Sequence, residues 1–269
     1  MGKLIYLFKI RRKVAKKNMD IVFGESKTKH EKNRIYYDSL LNLGVVLVNY
    51  FRVPRLNKRF WSENCQWKNR EILDAAFNRG KGVLILASHF GMYDLAAGMI
   101  GCSGYPLLAV GKKIKNPAVN RFILNARQHF NAVTLTNNGT MELILNSLKK
   151  GLGVGMVVDQ DMSRERGTFV DWFGHPASTI RSSAYVAKHS GCAVVPVAFY
   201  RTGVNSFEMV VGEEIQWVNH PDDPEEEMRL NTQEHCRTVQ KWILEKPELW
   251  FWLHKRYKTQ ADPKVDPYH

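Results

Sequence analysis

Val83-Leu84-Ile85-Leu86-Ala87-Ser88-His89-Phe90-Gly91-Met92-Tyr93-Asp94 decides how the rest of the chain reads. Its first five residues form an unbroken apolar run of strand length. A strand with one wet face alternates apolar and polar side chains. A continuous run fits a strand covered on both faces, as in a parallel sheet. His89 follows that strand at once, and helical spacing begins at Tyr93 and runs to Ile100. Gly91, between them, permits close approach of another group or an unusual backbone angle.

The same alternation continues outward. Glu71 to Arg79 predicts the preceding helix, closed by Gly80-Lys81-Gly82. Beyond the opening segment, strands are predicted at Leu107 to Val110, Ala132 to Leu135, Val154 to Val158 and Ala193 to Phe199, with a further one at Phe207 to Val211. Helices are predicted at Asn120 to His129, Met141 to Lys150 with Gly151 as its C-cap, Thr179 to Ser190 and Asn231 to Lys246. Strand and helix alternating at short intervals predict an α/β fold with a largely parallel central sheet flanked by helices. An N-terminal helical segment precedes it: residues 3–17 read as one basic amphipathic helix and residues 27–51 as a second. The expected organisation is a single domain over residues 1–269, with residues 1–70 a membrane-proximal helical segment and residues 71–260 the catalytic core. In such sheets the chemistry sits at the carboxyl ends of the strands.

Composition narrows the partners. The 269 residues carry 39 Lys plus Arg against 26 Asp plus Glu, a formal net charge of +13, which attracts polyanions. Seven basic residues and no acidic one fall in the first 18. Leu4, Leu7, Phe8 and Val14 can share one side of that first helix, a pattern suited to an anionic headgroup layer. No run reaches the roughly 18–20 apolar residues of a spanning helix, so membrane contact is expected to be peripheral. Nucleic acid is not expected as a partner, because no binding motif or basic–aromatic interleaving accompanies the charge. The acidic stretch Asp222 to Glu227 reads as a solvated loop. The four cysteines lie far apart and no His/Cys cluster has metal-ligand spacing, so neither a metal site nor a disulfide framework is expected.

His89 and Asp94 are the candidate catalytic pair. In one helix a five-residue spacing would put them on different faces. Across a turn into a helix, the carboxylate can fold back and orient the imidazole, leaving the other ring nitrogen to take a proton from a hydroxyl. The bare spacing is weak: with nine histidines about one chance match is expected. A second match, His220 with Glu225, has no strand before it. A structural histidine and a catalytic one both fit the first match. Cations follow the next strand at Lys112, Lys113 and Lys115, with Asn116, Arg121 and Arg127 beyond, where they can meet phosphate or form a solvated face. Asp159-Gln160-Asp161 ends another strand, and the nearby arginines suit a hydrogen-bonded network better than a metal site. There is no G-x-S-x-G elbow and no phosphate-binding P-loop.

The block Ala87 to Asp94 resembles the HxxxxD/E motif of the lysophospholipid acyltransferase superfamily. Four further stretches are similar to its lipid A biosynthesis (lauroyl/myristoyl) branch: Arg12 to Asn18 with Phe23, Asn116-Pro117 with Arg127, Val158-Asp159-Gln160 with Phe169 to Thr179, and Trp252 to Lys258. Together they span nearly the whole chain. The resemblance implies an acyltransferase with His89 as general base oriented by Asp94, and no cofactor. The donor would be an acyl-carrier-protein or CoA thioester, and the acceptor a hydroxyl of a membrane lipid. The similar stretches point to a substrate-binding set of Arg127, Asn116, Asp159, Gln160, Phe173, Gly174 and Thr179, which the cations Lys112 and Arg121 join, with Arg127 serving the oxyanion or a phosphate. It implies a place on the cytoplasmic face of the inner membrane. Two features depart from the branch. Only Leu4 to Ile10 remains of an apolar anchor, and Asp94 stands where Glu is frequent. Acceptors such as phosphatidylinositol mannosides or lysophospholipids therefore stay open. A non-enzymatic basic protein and a lipid hydrolase are the competing readings.

Overall fold

A computed structural model describes residues 2–110, 115–129, 133–135 and 140–269, with the side chains of all of these except 3–5, 54, 110, 123, 126–129, 133–135 and 140. In chain order the N-terminal helices are α1 (Gly2–Leu7), α2 (Arg12–Phe23), α3 (Lys29–Arg52) and α4 (Lys58–Asn64). Then come β1 (Cys65–Lys68), α5 (Arg70–Asn78), β2 (Val83–Ala87), α6 (Tyr93–Cys102), β3 (Leu107–Val110), α7 (Pro117–His129), β4 (Val133–Leu135), α8 (Thr140–Lys149) and β5 (Gly153–Val157). The last part holds β6 (Gly167–Trp172), β7 (His175–Ile180), α9 (Ser182–Ser190), β8 (Ala193–Arg201), β9 (Phe207–Val211) and α10 (Pro224–Glu245). The fold is the expected α/β type, and β2, β3 and β9 coincide with the runs read from the sequence.

The chain divides into two compact units. One comprises Val48–Val157 and Tyr185–Gln216. It holds a seven-stranded sheet of order β1-β9-β8-β2-β5-β3-β4. Every neighbouring pair is parallel except β8 with β9. β2 lies inside the sheet between β8 and β5, and Val83, Leu84, Ile85 and Leu86 are all buried. That is why its sequence is continuously apolar: both faces and both edges are covered. Trp61 of α4 is buried edge-on against Phe199 and Phe207. β1 escapes notice in the sequence because Cys-Gln-Trp-Lys alternates over only four residues at the sheet's rim.

The other unit comprises Met1–Leu47, Val158–Ala184 and Trp217–His269. Its centre is the antiparallel hairpin β6–β7, paired from Gly167↔Ile180 to Trp172↔His175, with α10 alongside β6. The sequence reading extends a helix back to Thr179. In the structure Thr179 and Ile180 belong to β7, and the helix begins at Ser182. Thr-Ile is a β-branched pair, which strand geometry favours.

Two further corrections fall in this unit. The predicted helix over residues 3–17 is broken: Lys9 and Arg11 both adopt positive φ, and α2 restarts at Arg12. α2 then buries Ala15, Asn18, Met19 and Phe23 at helical spacing. Asn18 Nδ2 donates to the carbonyls of Trp252 (2.8 Å) and His254 (2.7 Å), and the Phe23 ring lies 5.5 Å from that of Trp252. α2 is thus fastened to the C-terminal segment. Stopping at Lys17 hides Met19 and Phe23, which carry the buried face. The acidic stretch is not a loop either. Asp223 caps α10, its carboxylate accepting from the amides of Glu225 (3.1 Å) and Glu226 (3.0 Å). Pro224 opens the helix, and three glutamates in its first turn complement the helix dipole.

Candidate active site

His89 lies two residues beyond β2, and Asp94 is the second residue of α6, so the pair straddles a strand–turn–helix junction at the carboxyl end of a central strand. The turn is held by the backbone. The Phe90 amide donates to Ser88 O (2.7 Å), the Met92 amide to Phe199 O of β8 (2.7 Å), and the Leu95 amide to Met92 O (2.9 Å). Gly91 has φ +59°, and a Cβ there would meet Phe199 O at 2.3 Å and Tyr200 Cβ at 2.9 Å. Only glycine lets the turn lie this close to β8. Phe90 and Met92 are buried, which fixes the turn from below, while His89 and Asp94 are half-buried. The imidazole packs against the ring of Tyr93, centroids 4.5 Å apart and tilted 57°. In the sequence the only signal for Tyr93 is its place between the histidine and the aspartate.

In the same unit α7 begins at Pro117, and Asn116 caps it: its Oδ1 accepts from the amides of Ala118 (3.0 Å) and Val119 (3.1 Å). Asn–Pro is a helix-starting pair, with the missing proline N–H falling where no helical partner exists. Asn116 and Arg121 are exposed. Arg127 lies on α7, its side chain outside the described residues, and Lys112 lies outside them altogether.

The remaining candidates belong to the other unit. Asp159 is buried, and its Oδ2 accepts from Trp250 Nε1 (2.8 Å); Gln160 beside it is exposed. Asp161 accepts from the Thr259 amide (2.8 Å) and Thr259 Oγ1 (3.0 Å), and its own amide donates to His254 Nε2 (3.0 Å). Burial raises the Asp161 pKa, against the pull of these Thr259 bonds. These bonds tie Asp159 and Asp161 to the C-terminal segment. Arg164 instead donates to Gln260 O. Phe173 and Gly174 form the two-residue turn of the β6–β7 hairpin, both at positive φ, the requirement of a type I′ turn. The Phe173 amide donates to Gln240 Oε1 (3.1 Å) and the Gly174 amide to Asp171 Oδ1 (3.1 Å).

Thr179 is buried, and its Oγ1 accepts from Arg256 Nη2. Arg256 is fully buried, donates to Ser178 O (2.7 Å) and lies over the Trp172 ring at 4.5 Å. Burial holds its pKa below the usual guanidinium range. In the sequence Arg256 stands in the stretch Trp252 to Lys258 with nothing to mark it as buried. A lone arginine among aromatic residues does not disclose its burial.

His89 and Asp94 thus flank the strand–turn–helix junction between β2 and α6. The chain belongs to the bacterial lipid A biosynthesis acyltransferase family, whose model matches residues 1–259. It is an acyltransferase. The lipid A biosynthesis palmitoleoyltransferase of Escherichia coli K12 is 24% identical over 259 residues, covering 94% of this chain and 80% of that protein. The lauroyltransferase of the same organism is 24% identical over 271 residues, covering 97% and 84%. A lipid A biosynthesis acyltransferase of Haemophilus influenzae is 21% identical over 236 residues, covering 87% and 72%. Among solved structures, the 1-acyl-sn-glycerophosphate (LPA) acyltransferase PlsC from Thermotoga maritima aligns with 93% of this chain and 100% of its own, at 16% identity and a TM-score of 0.42.

Proposed function

We propose that this enzyme moves a fatty acyl group from an acyl-carrier-protein or CoA thioester to a hydroxyl of a lipid A precursor, with His89 as general base and Asp94 as its orienting carboxylate. The observation that carries this reading is the junction at β2 and α6: His89 leaves a buried central strand on a turn pinned to Phe199, with Asp94 in the first turn of the next helix. Membership of the lipid A family and the names of its relatives support the acceptor class.

In the proposed reaction the imidazole takes the hydroxyl proton and the alkoxide oxygen attacks the thioester carbonyl. A tetrahedral oxyanion forms and collapses; the C–S bond breaks, and the imidazolium returns its proton to the leaving thiolate. Arg127 is proposed to face the oxyanion or a phosphate of the acceptor. Lys112, Asn116 and Arg121 are proposed to attend the acceptor's phosphates. Asp159, Gln160, Phe173, Gly174 and Thr179 complete the proposed substrate-binding set.

The enzyme is proposed to act peripherally on the cytoplasmic face of the inner membrane. Among the described residues no helix is long and apolar enough to cross a membrane. Leu7, Phe8 and Ile10 are exposed where α1 gives way to α2, with Lys9, Arg11 and Lys13 exposed among them, a combination suited to an anionic interface. The test is incubation of the purified enzyme with radiolabelled acyl-carrier and acyl-CoA thioesters and a panel of acceptors: lipid A precursors, phosphatidylinositol mannosides and lysophospholipids. Product mass on a lipid A precursor supports the reading. Transfer confined to another acceptor overturns the acceptor assignment, and thiol release without any acylated lipid points to a hydrolase.

A further inference from the structure

The sheet-bearing unit exposes an apolar ridge built from two separate elements. At the end of α3, Phe51 is 69% exposed and Val48 is exposed one turn earlier. On α7, Phe122 is 38% exposed and Val119 is exposed one turn earlier. The two phenyl rings touch, centroids 5.2 Å apart, and the buried Tyr50 supports Phe122 from beneath at 6.1 Å. The 3₁₀ turn Val53–Arg55 packs beside α7, so one continuous surface joins both helices. A contiguous exposed apolar patch rimmed by polar residues marks a protein or membrane interaction site.

The charge around the ridge says what covers it. Arg55, Lys58, Lys115 and Arg121 are exposed along the two segments. Residues 39–62 contain no acidic side chain, and neither do residues 95–141. A soluble acidic partner needs only the cations. Phenyl rings standing out among cations match a surface that is apolar below and anionic above, as an anionic bilayer is.

We propose that Val48, Phe51, Val119 and Phe122 form a membrane-docking ridge that inserts into an anionic lipid surface while the flanking cations meet headgroups. This rests on the reading of the enzyme as acting on membrane lipids.

The experiment is flotation of the full chain with vesicles of phosphatidylcholine alone or mixed with phosphatidylglycerol, alongside acyl transfer to a detergent-dispersed acceptor. The Phe51→Ala/Phe122→Ala double variant is expected to bind mixed vesicles at least about tenfold more weakly. Arg55→Glu is expected to lose about fivefold or more, in a salt-dependent way. Phe51→Trp, which keeps an interfacial aromatic, is expected to bind as well as the parent. Detergent-dispersed turnover of all three should match the parent, which separates lost docking from lost folding. Unchanged vesicle binding by the double variant overturns the ridge and leaves the membrane reading intact. A parent enzyme that floats with neither vesicle overturns both. Loss of binding to purified acyl carrier protein with vesicle binding unchanged reassigns the ridge to the carrier protein and overturns the lipid proposal.

Discussion

A side chain on Gly91 would place its Cβ 2.3 Å from the carbonyl oxygen of Phe199, so the turn bearing His89 touches β8 with no space between them. The Met92 amide, donating to that same carbonyl, is the counterpart of this contact. Strand β8 is therefore the anvil on which the turn is shaped, and the position of His89 depends on a residue more than a hundred positions away.

Gly91→Ala is expected to destabilise the protein by more than about 2 kcal/mol, because φ +59° disfavours a Cβ and the neighbouring backbone cannot withdraw. Gly80→Ala is the control: its φ is +69° but nothing lies within 4 Å of the added carbon, so only the backbone penalty of about 1 kcal/mol applies. Thermal unfolding compares the two, and equal effects would remove the close-approach account. Turnover of the Gly91 variant should fall further than its stability loss explains.

Arg256→Lys is expected to cost about 2 kcal/mol or more in chemical denaturation. The guanidinium serves Ser178 O, Thr179 Oγ1 and the Trp172 face together, and an ammonium lacks the planar fork to do so. A change below about 0.5 kcal/mol would show that the buried cation is dispensable to the hairpin.

His235 supplies a pH dependence. It is buried, with Nδ1 3.0 Å from Ser183 Oγ, and burial lowers its pKa from 6.5 to about 4. Between those values the unfolded chain binds the proton more readily than the folded one. Stability is therefore unaffected above about pH 6.5 and falls as the pH drops towards 4, by a few kcal/mol at most. His235→Gln should flatten the melting temperature across that interval relative to the parent. An identical acid-side slope in both proteins would exclude His235 as the source.

Much of this was legible in the sequence because the sheet's interior strands are buried on both faces. Val83 to Ala87, a short apolar run closed by turn residues on both sides, reads as a strand buried on both faces, and His89 follows at its end. Three features were not legible, each for a physical reason. The break at Lys9 and Arg11 carries neither glycine nor proline, so nothing in the composition marks it. The β6–β7 hairpin turns on Phe173-Gly174, where an aromatic residue occupies a left-handed position usually held by Asn, Asp or Gly. The partners of Asp159 and Asp161 come from Trp250, His254 and Thr259, about a hundred residues away, and local pattern cannot reach that far. At the candidate site, the placement of His89 and Asp94 across a strand–turn–helix junction was readable, while the clamp by Phe199 and the ring of Tyr93 required the fold.

The most direct test of the central claim is single-turnover acyl transfer by His89→Ala, measured beside the parent with matched circular dichroism and melting temperature. The account predicts a fall between about a hundredfold and ten-thousandfold in rate with the fold retained. Turnover close to the parent's, in a variant that is folded, would contradict it and remove the imidazole from the reaction.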